Sequence, residues 1–391
     1  MKLMSLFDGS GGFPLAASLC GIEPVYAAEV EPYPIAVTNN RFPKMKHLGD
    51  VSKVKGGEIE PVDIITFGSP CQDMSVAGKR AGLKHTAVGD EETTRSGLFM
   101  EAIRIIKEMR VKTNGIYPRY AVWENVPGAF SSNKGEDFRT VLDEFIKIVE
   151  KDAVMPDVPK AGWPYADCYS GNGWSLAYRV FDAQYWGVPQ RRRRIYLVAD
   201  FRGECAQEIL FKRESLRGYF EAGGTQGQET ARCAKNSVGT AIGGVDRYNQ
   251  SFLPGLAQTL RAPGGGDCTS TVLAPVGKEK TVAVPVHYIV RRLTPTECAR
   301  LQGFPDLWGY LDKKESFTDE EYKFWLKVRN TYTRINNKAV KDYTKAQMLS
   351  WYNKLHSDSA EYKMWGNGIA LPNVLYVMQG IAKVVGVHHS K

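Results

Sequence analysis

Along the first two hundred positions, short apolar runs alternate with stretches whose apolar residues recur every three or four. Lys2–Phe7 reads as a buried strand that runs into Asp8-Gly9-Ser10-Gly11-Gly12 and then a helix to about Cys20. A second strand fits Pro24–Ala28 and ends at Glu29, a helix covers Tyr33 to Asn40, and a third short strand ends near Asp50. Asp63–Phe67 is β-rich and feeds Gly68-Ser69-Pro70-Cys71. Leu98–Met109 has helical periodicity. Tyr120–Trp123 reads as a strand ending in Glu124-Asn125, Phe138–Val149 as an amphipathic helix, and Leu176–Phe181 and Ile195–Ala199 as two further strands. Strand–helix alternation of this kind predicts an α/β fold over residues 1–202, with a mostly parallel sheet and helices on both faces.

The pattern changes after about residue 203. Residues 222–285 are rich in Gly, Thr, Ser, Gln and Asn and show no helical period, which predicts a small, loop-rich β domain over 203–290. A disordered linker is the alternative, against which Tyr248, Phe252, Leu253, Leu256 and Leu260 offer a small core. Within 291–306, Thr294-Pro295-Thr296-Glu297 has the cap, first-turn proline and third-position acid of a capping box. Residues 307–365 form a charged, aromatic-rich insertion with helical patterns at 318–329 and 344–355. Gly366-Asn367-Gly368 and an apolar helix over Ile369–Val387 follow, and 366–391 is expected to complete the first domain.

The 391 residues suffice for one large and one small domain, and 43% hydrophobic with 24% charged residues is ordinary globular composition. A net charge of +8 suits a polyanionic partner without requiring one. The seven cysteines (Cys20, Cys71, Cys168, Cys205, Cys233, Cys268, Cys298) include no C-x-x-C pair, so neither a zinc site nor a disulfide framework is expected. The amino terminus meets an acid and glycines too early for a signal peptide, and no run of about 20 apolar residues marks a membrane span. A cytoplasmic location without membrane contact is the expectation.

Candidate chemistry gathers at strand ends, where open α/β sheets bind ligands. The turn Gly9-Ser10-Gly11-Gly12 is looser than a strict dinucleotide fingerprint, and by itself it could be a plain strand–helix corner. Glu29, about 20 residues on, could accept ribose hydroxyls, and Asp50 could take an adenine amino group, so the three together suggest an adenosine-containing cofactor. Cys71 would be a small buried hydrophobe in most settings. Here Lys79, Arg80, Lys84 and Arg95 follow it, and positive charge favours the reactive thiolate. Glu124 directly follows an apolar run, where burial would raise its pKa and let it donate a proton; a surface charge is the alternative. In Gln190-Arg191-Arg192-Arg193-Arg194, alternation places Arg192 and Arg194 on one face and Arg191 and Arg193 on the other, unless the run is a solvated patch.

Taken in order, these residues resemble the DNA (cytosine-5-)-methyltransferase family. The resemblance rests on Phe7-Asp8-Gly9-Ser10-Gly11-Gly12-Phe13, Glu29, Gly49-Asp50-Val51, Pro70-Cys71-Gln72, Glu124-Asn125-Val126, Gln190 through Arg194, Arg292 through Pro305, and Gly366-Asn367. It implies a Rossmann-like domain that binds S-adenosylmethionine and releases S-adenosylhomocysteine, with a target-recognition domain at 203–290. It further implies that Cys71 attacks carbon 6 of a flipped-out cytosine, making carbon 5 nucleophilic. Glu124 would stabilise ring nitrogen 3, and Arg194 with Arg192 would hold the cytosine O2 and a nearby phosphate. Pro70, Gln72, Asn125 and Gln190 would shape the base pocket. Phe7, Asp8, Gly9, Gly11, Gly12, Glu29, Val30, Asp50, Pro70 and Asn367 would line the cofactor site, and Thr259-Leu260 would belong to DNA recognition. Implied partners are double-stranded DNA and, unless the enzyme is a solitary modifier, a cognate restriction endonuclease, for a monomeric enzyme of bacterial or phage origin.

Three features depart from the family's pattern. The stretch Lys84–Thr94 lengthens the loop after Cys71, Val30 stands where many relatives carry an aromatic, and the 307–365 insertion is long. That insertion reads either as a DNA-backbone or partner surface or as a solvated helical decoration. Competing functional readings are an RNA cytosine methyltransferase, a catalytically dead DNA-binding module, and a nicotinamide oxidoreductase that shares only the Rossmann-like opening.

Overall fold

The computed structural model describes residues 1–69, 97–211, 243–246, 251–254, 271–276 and 287–386, those between 243 and 290 by backbone alone. Its centre is an eight-stranded sheet in the order β3-β2-β1-β4-β5-β8-β7-β6. The strands are β1 Lys2–Leu6, β2 Glu23–Ala28, β3 Lys46–His47, β4 Ile64–Phe67, β5 Tyr120–Asn125, β6 Ala166–Gly171, β7 Trp174–Asp182 and β8 Arg193–Asp200. β3, β2, β1, β4 and β5 run parallel, whereas β8, β7 and β6 join antiparallel, so the sheet is mixed.

The apolar runs have a physical cause: both faces of the sheet are covered. On one face Leu3, Ile64, Tyr120, Val122, Tyr196 and Val198 meet α1 (Gly12–Leu19), α2 (Pro32–Arg41), α5 (Ala206–Leu210) and α10 (Leu371–Val385). On the other, Met4, Leu6, Ile65, Phe67, Trp123, Ile195 and Leu197 meet α3 (Gly97–Lys112) and α4 (Glu136–Ile146). Side chains alternate strictly along β5, so Glu124 falls on the same face as Tyr120 and Val122.

Several boundaries differ from the expectation. β5 extends through Glu124 and Asn125 because both residues pair with β8, at Tyr196 and Ile195. β3 stops at His47, three residues before Asp50, because only two of its residues pair with β2. β6 was not expected, since its half-exposed alternation carries few apolar residues. The large domain does not end at 202: Ala206, Ile209 and Leu210 of α5 are fully buried in its core. Within the expected 203–290 domain, β9 (Gly243–Asp246), β10 (Ser251–Pro254), β11 (Thr271–Val276) and β12 (His287–Arg292) pair antiparallel in the order β10-β9-β11-β12.

After β12, α6 (Pro295–Leu301) starts on the expected capping box: the Glu297 amide donates to Thr294 Oγ1 and the Thr294 amide to Glu297 Oε2. The insertion forms α7 (Asp319–Ile335), α8 (Lys345–Tyr352) and α9 (Asp358–Asn367), and it is no solvated decoration. Trp325, Met348, Tyr352 and Trp365 join the core under α1 and α2. The Trp308 indole N–H donates to the Ser10 carbonyl at 2.8 Å, and the Tyr33 hydroxyl donates to the Gly309 carbonyl at 2.6 Å. Among the described residues no single helix is long and apolar enough to cross a membrane.

α10 closes the fold by lying against α5. A Cβ on Gly380 would stand 2.8 Å from Ile209 Cγ2 and 3.0 Å from the Ile209 carbonyl oxygen. Gly380→Ala should therefore lower the unfolding free energy by about 1–3 kcal/mol through overpacking, measured by urea denaturation. A neutral or stabilising effect would mean the two helices do not meet this closely.

Candidate active site

The carboxyl ends of β1, β2, β4 and β5 converge on one edge of the sheet. After β1 the chain turns through three positive φ values: Phe7 at 55°, Gly9 at 54° and Gly11 at 76°. A bulky residue with positive φ is uncommon, so the turn is held by its surroundings. The Glu29 carboxylate, at the end of β2, does much of this. Its Oε2 accepts the Gly9 amide at 2.9 Å, and its Oε1 accepts the Val30 and Glu31 amides at 2.7 and 2.9 Å. Burial raises the Glu29 pKa, and the three N–H donors oppose that rise.

The three glycines of this turn are needed for different reasons. At Gly9 the backbone demands glycine while space is open: a Cβ would meet only the Phe7 carbonyl oxygen, at 3.8 Å. At Gly11 a Cβ would lie 2.8 Å from Thr38 Cγ2, and at Gly12 it would lie 2.6 Å from Ile369 Cγ1. Gly11 and Gly12, expected to line the cofactor, are thus positions where α2 and the carboxyl-terminal segment pack onto the turn. Asp8, also expected there, is a correction of the same kind. Asp8 is 6% exposed, and its buried carboxyl sits beside the hydroxyls of Ser5 and Thr38 beneath the loop. The Asp50 carboxylate accepts the Ser52 amide at 2.9 Å, and nothing lies within 4 Å of where a Cβ on Gly49 would stand. The turns at Gly9 and Gly49 therefore both face open space, as a cradle for a nucleoside-bearing ligand must. Val30 is half-buried beside Glu29, and Asn367 is exposed at the end of α9.

Across the same edge, Glu124 meets the arginine run. The antiparallel β5–β8 register sets Glu124 opposite Tyr196, and Arg194 Nε lies 3.0 Å from Glu124 Oε1. Both side chains are nearly buried, at 13% exposed for Arg194 and 10% for Glu124. Burial drives the Glu124 pKa up, while Arg194 and Arg192 pull it down, and the net direction is upward. Gly68, just past β4, leaves room for this carboxylate, since a Cβ there would stand 3.1 Å from Glu124 Oε2.

Arg192 corrects the expectation of a substrate contact. It is 1% exposed, and its Nη2 donates to the carbonyls of Gly368 and, at 3.4 Å, Gly366. Its guanidinium fastens the segment entering α10 to the sheet edge that carries Glu124. Burial and the neighbouring Arg194 lower its pKa to about 9, so it stays charged at neutral pH. Gln190 is fully buried beside it in the chain.

Asn125 does not face outward either. Its amide donates to the Ser69 carbonyl at 3.2 Å and its Oδ1 accepts the Val126 amide at 2.8 Å, while the Trp123 indole donates to Ser69 Oγ at 3.2 Å. Ser69, the residue before Pro70-Cys71-Gln72, is thereby pinned to β5. Neither Ser69 nor Trp123 stands out along the sequence, because both roles arise from the β4–β5 pairing. Pro70, Cys71 and Gln72, the stretch Lys84–Thr94, and Thr259 and Leu260 lie outside the described residues.

A family model for C-5 cytosine-specific DNA methylases matches residues 1–149 and 168–324. The chain belongs to that family. Its members are DNA (cytosine-5-)-methyltransferases that use S-adenosylmethionine as methyl donor, and the chain is an enzyme of that class. The type II methyltransferase M.HhaI of Haemophilus parahaemolyticus is 27% identical over 83% of this chain and 88% of its own length. M2.BsuMI of Bacillus subtilis is 27% identical over 84% of this chain and 72% of its length. A protein of Escherichia phage P1 named as a DNA N-6-adenine-methyltransferase is 26% identical over 97% of this chain, which spans 61% of that relative's length. The fold is shared with the Dnmt2 methyltransferase of S. pombe, with a TM-score of 0.55 over 99% of both chains at 16% identity.

Burial of Asp8 raises its pKa to about 7, with Glu29 adding to the rise. The folded chain thus keeps a proton that the unfolded chain releases above pH about 4. Stability from this group is lost as pH rises from about 4 to about 7 and is constant above. Asp8→Asn should match wild type near pH 4 and melt at a higher temperature at pH 8. Parallel curves for the two proteins across pH 4–8 would contradict this.

Proposed function

We propose that this chain methylates carbon 5 of a flipped-out cytosine within a short specific sequence of duplex DNA, with Cys71 as nucleophile and Glu124 as the acid facing ring nitrogen 3. The observation that carries the reading is the buried Glu124–Arg194 pair, flanked by Ser69, which directly precedes Pro70-Cys71-Gln72 in the chain.

Carbon 5 of cytosine is a weak nucleophile. Addition of the Cys71 thiolate to carbon 6 turns the ring into an enamine, provided the charge arriving at nitrogen 3 is met by a proton donor. Glu124 in its protonated form supplies that donor, and burial shifts the carboxyl toward that form. Arg194 orients the carboxyl and faces the cytosine O2, and Arg192 positions the edge from below. Asn125 acts by holding Ser69, so it places the loop rather than touching the base. Bound S-adenosylmethionine supplies an electrophilic methyl group. Gly9, Glu29 and Asp50 hold its adenosine end, and Phe7, Val30 and Asn367 border the same space. A base, through water, then takes the carbon 5 proton; the C–H electron pair restores the 5,6 double bond, the bond from carbon 6 to sulfur breaks, and Cys71 leaves as its thiolate.

Residues 212–290, with Thr259-Leu260 among them, read the target sequence, and 291–306 joins that module to the domain built from 1–211 and 366–391. The chain acts as a monomer in the bacterial or phage-infected cytoplasm, beside a restriction endonuclease of the same specificity.

The name of the phage P1 relative favours a second reading, transfer to the exocyclic nitrogen of adenine. An amine attacks a sulfonium methyl directly and needs no thiolate. Nucleoside analysis of mixed-sequence duplex DNA methylated in vitro separates the two. The proposal expects 5-methylcytosine, abolished in Cys71→Ser and reduced by about 10²–10⁴-fold in Glu124→Gln. N6-methyladenine that persists in Cys71→Ser would replace the proposal with the second reading.

A further inference from the structure

A second basic feature lies two strands away from Glu124. β6 pairs with β7 only as far as Ala166 opposite Arg179, whereas β7 runs on to Asp182, paired there with Arg193 of β8. Beyond the end of β6 the sheet edge forms a notch with a volume of about 450 Å³. Tyr165, Arg179, Tyr185, Trp186, Arg191 and Arg193 line it. The Val180 amide donates to the Tyr165 carbonyl at 2.8 Å, which sets Tyr165 at the wall.

Cationic and aromatic groups interleave here. The Arg193 guanidinium lies 4.5 Å from the Tyr165 ring centroid, and that of Arg179 lies 5.8 Å from the Trp186 ring. Tyr165 is 59% exposed and Tyr185 65%, and Arg191 is exposed. Asp182, the acid of the lining, is engaged: it accepts the Arg192 amide at 3.1 Å and Gln184 Nε2 at 2.8 Å. Arg191 and Arg193 bring guanidinium groups to the opening.

The notch shares the catalytic edge, because Phe181 in its lining pairs directly with Arg194. Guanidinium forks match phosphate oxygens, and an exposed tyrosine ring offers a flat face to a sugar or base. We propose that this notch binds phosphodiester groups of the DNA strand flanking the target cytosine, with Arg191 and Arg193 on phosphate oxygens and Tyr185 against the deoxyribose. The inference rests on the reading that the chain acts on DNA.

The test uses the full chain, a labelled mixed-sequence duplex and fluorescence anisotropy across a NaCl series, with steady-state methylation alongside. Arg191→Gln and Arg193→Gln should each reduce the slope of log K against log [NaCl] by about one. Each should raise KM for DNA several-fold and leave kcat and KM for S-adenosylmethionine unchanged. Tyr185→Ala should raise KM for DNA at an unchanged slope. Should Arg193→Gln fail to fold, the exposed Arg191 and Tyr185 carry the test. Wild-type slope and KM in the R191Q and Y185A variants would overturn the notch while leaving the proposed function standing. A wild-type chain that neither binds nor methylates DNA would overturn the function itself.

Discussion

The antiparallel pairing of β8 against β5 sets a carboxylate and two guanidinium groups inside a nearly dry sheet edge. Burying such charges is costly unless each finds a partner, and removing one partner strands the other. Here Glu124 is met by Arg194, and Arg192 is met by the carbonyls of Gly366 and Gly368. The rest of the architecture follows from satisfying these groups. The chain must return after the insertion to present the two carbonyls, α10 must then lie across α1 and α5, and the glycine turn must be small enough at Gly12 to accept that return.

The same requirement explains how the glycine turn and the Glu124 edge are joined. Arg192 ties the catalytic edge to the segment entering α10, and Ile369 of that segment presses on Gly12. Trp308 and Lys363, at the two ends of the insertion, reach the Ser10 carbonyl and Glu31, on either side of the cradle around Gly9 and Glu29. The half-exposed Lys363–Glu31 pair contributes little energy by itself. Its place shows that the insertion is built onto the side of the molecule that carries the glycine turn and Glu29, through packing that a charge count along the sequence cannot reveal.

Much of this was legible in the sequence because the signals were local. Apolar runs located β1, β4, β5 and β8 within one or two residues, and the capping box at Thr294 marked the start of α6. Alternation correctly separated Arg192 and Arg194 from Arg191 and Arg193. What the sequence withheld depends on long-range pairing. The orientation of β8 decides that Arg192 turns to backbone carbonyls while Arg194 turns to Glu124, and nothing in Gln190–Arg194 distinguishes them. Asp8 and Asn125 look like ligand-facing polar residues in one dimension, yet the first is buried under its own loop and the second holds Ser69. β6 and the membership of α5 in the large domain were missed because short, half-exposed elements carry weak periodicity.

The central claim is that the edge carrying Glu124 and Arg194 serves a covalent addition by Cys71 to cytosine. It is tested most directly with duplex DNA in which 5-fluorocytosine replaces cytosine. Fluorine at carbon 5 cannot leave as the proton does, so the adduct should persist once the methyl group has been transferred. Intact-mass analysis after incubation with S-adenosylmethionine should show a one-to-one protein–DNA adduct, with peptide mapping placing it on Cys71 and no adduct in Cys71→Ser. Methylation of ordinary duplex DNA without any adduct on the fluorinated duplex, or an adduct on another residue, would contradict the account.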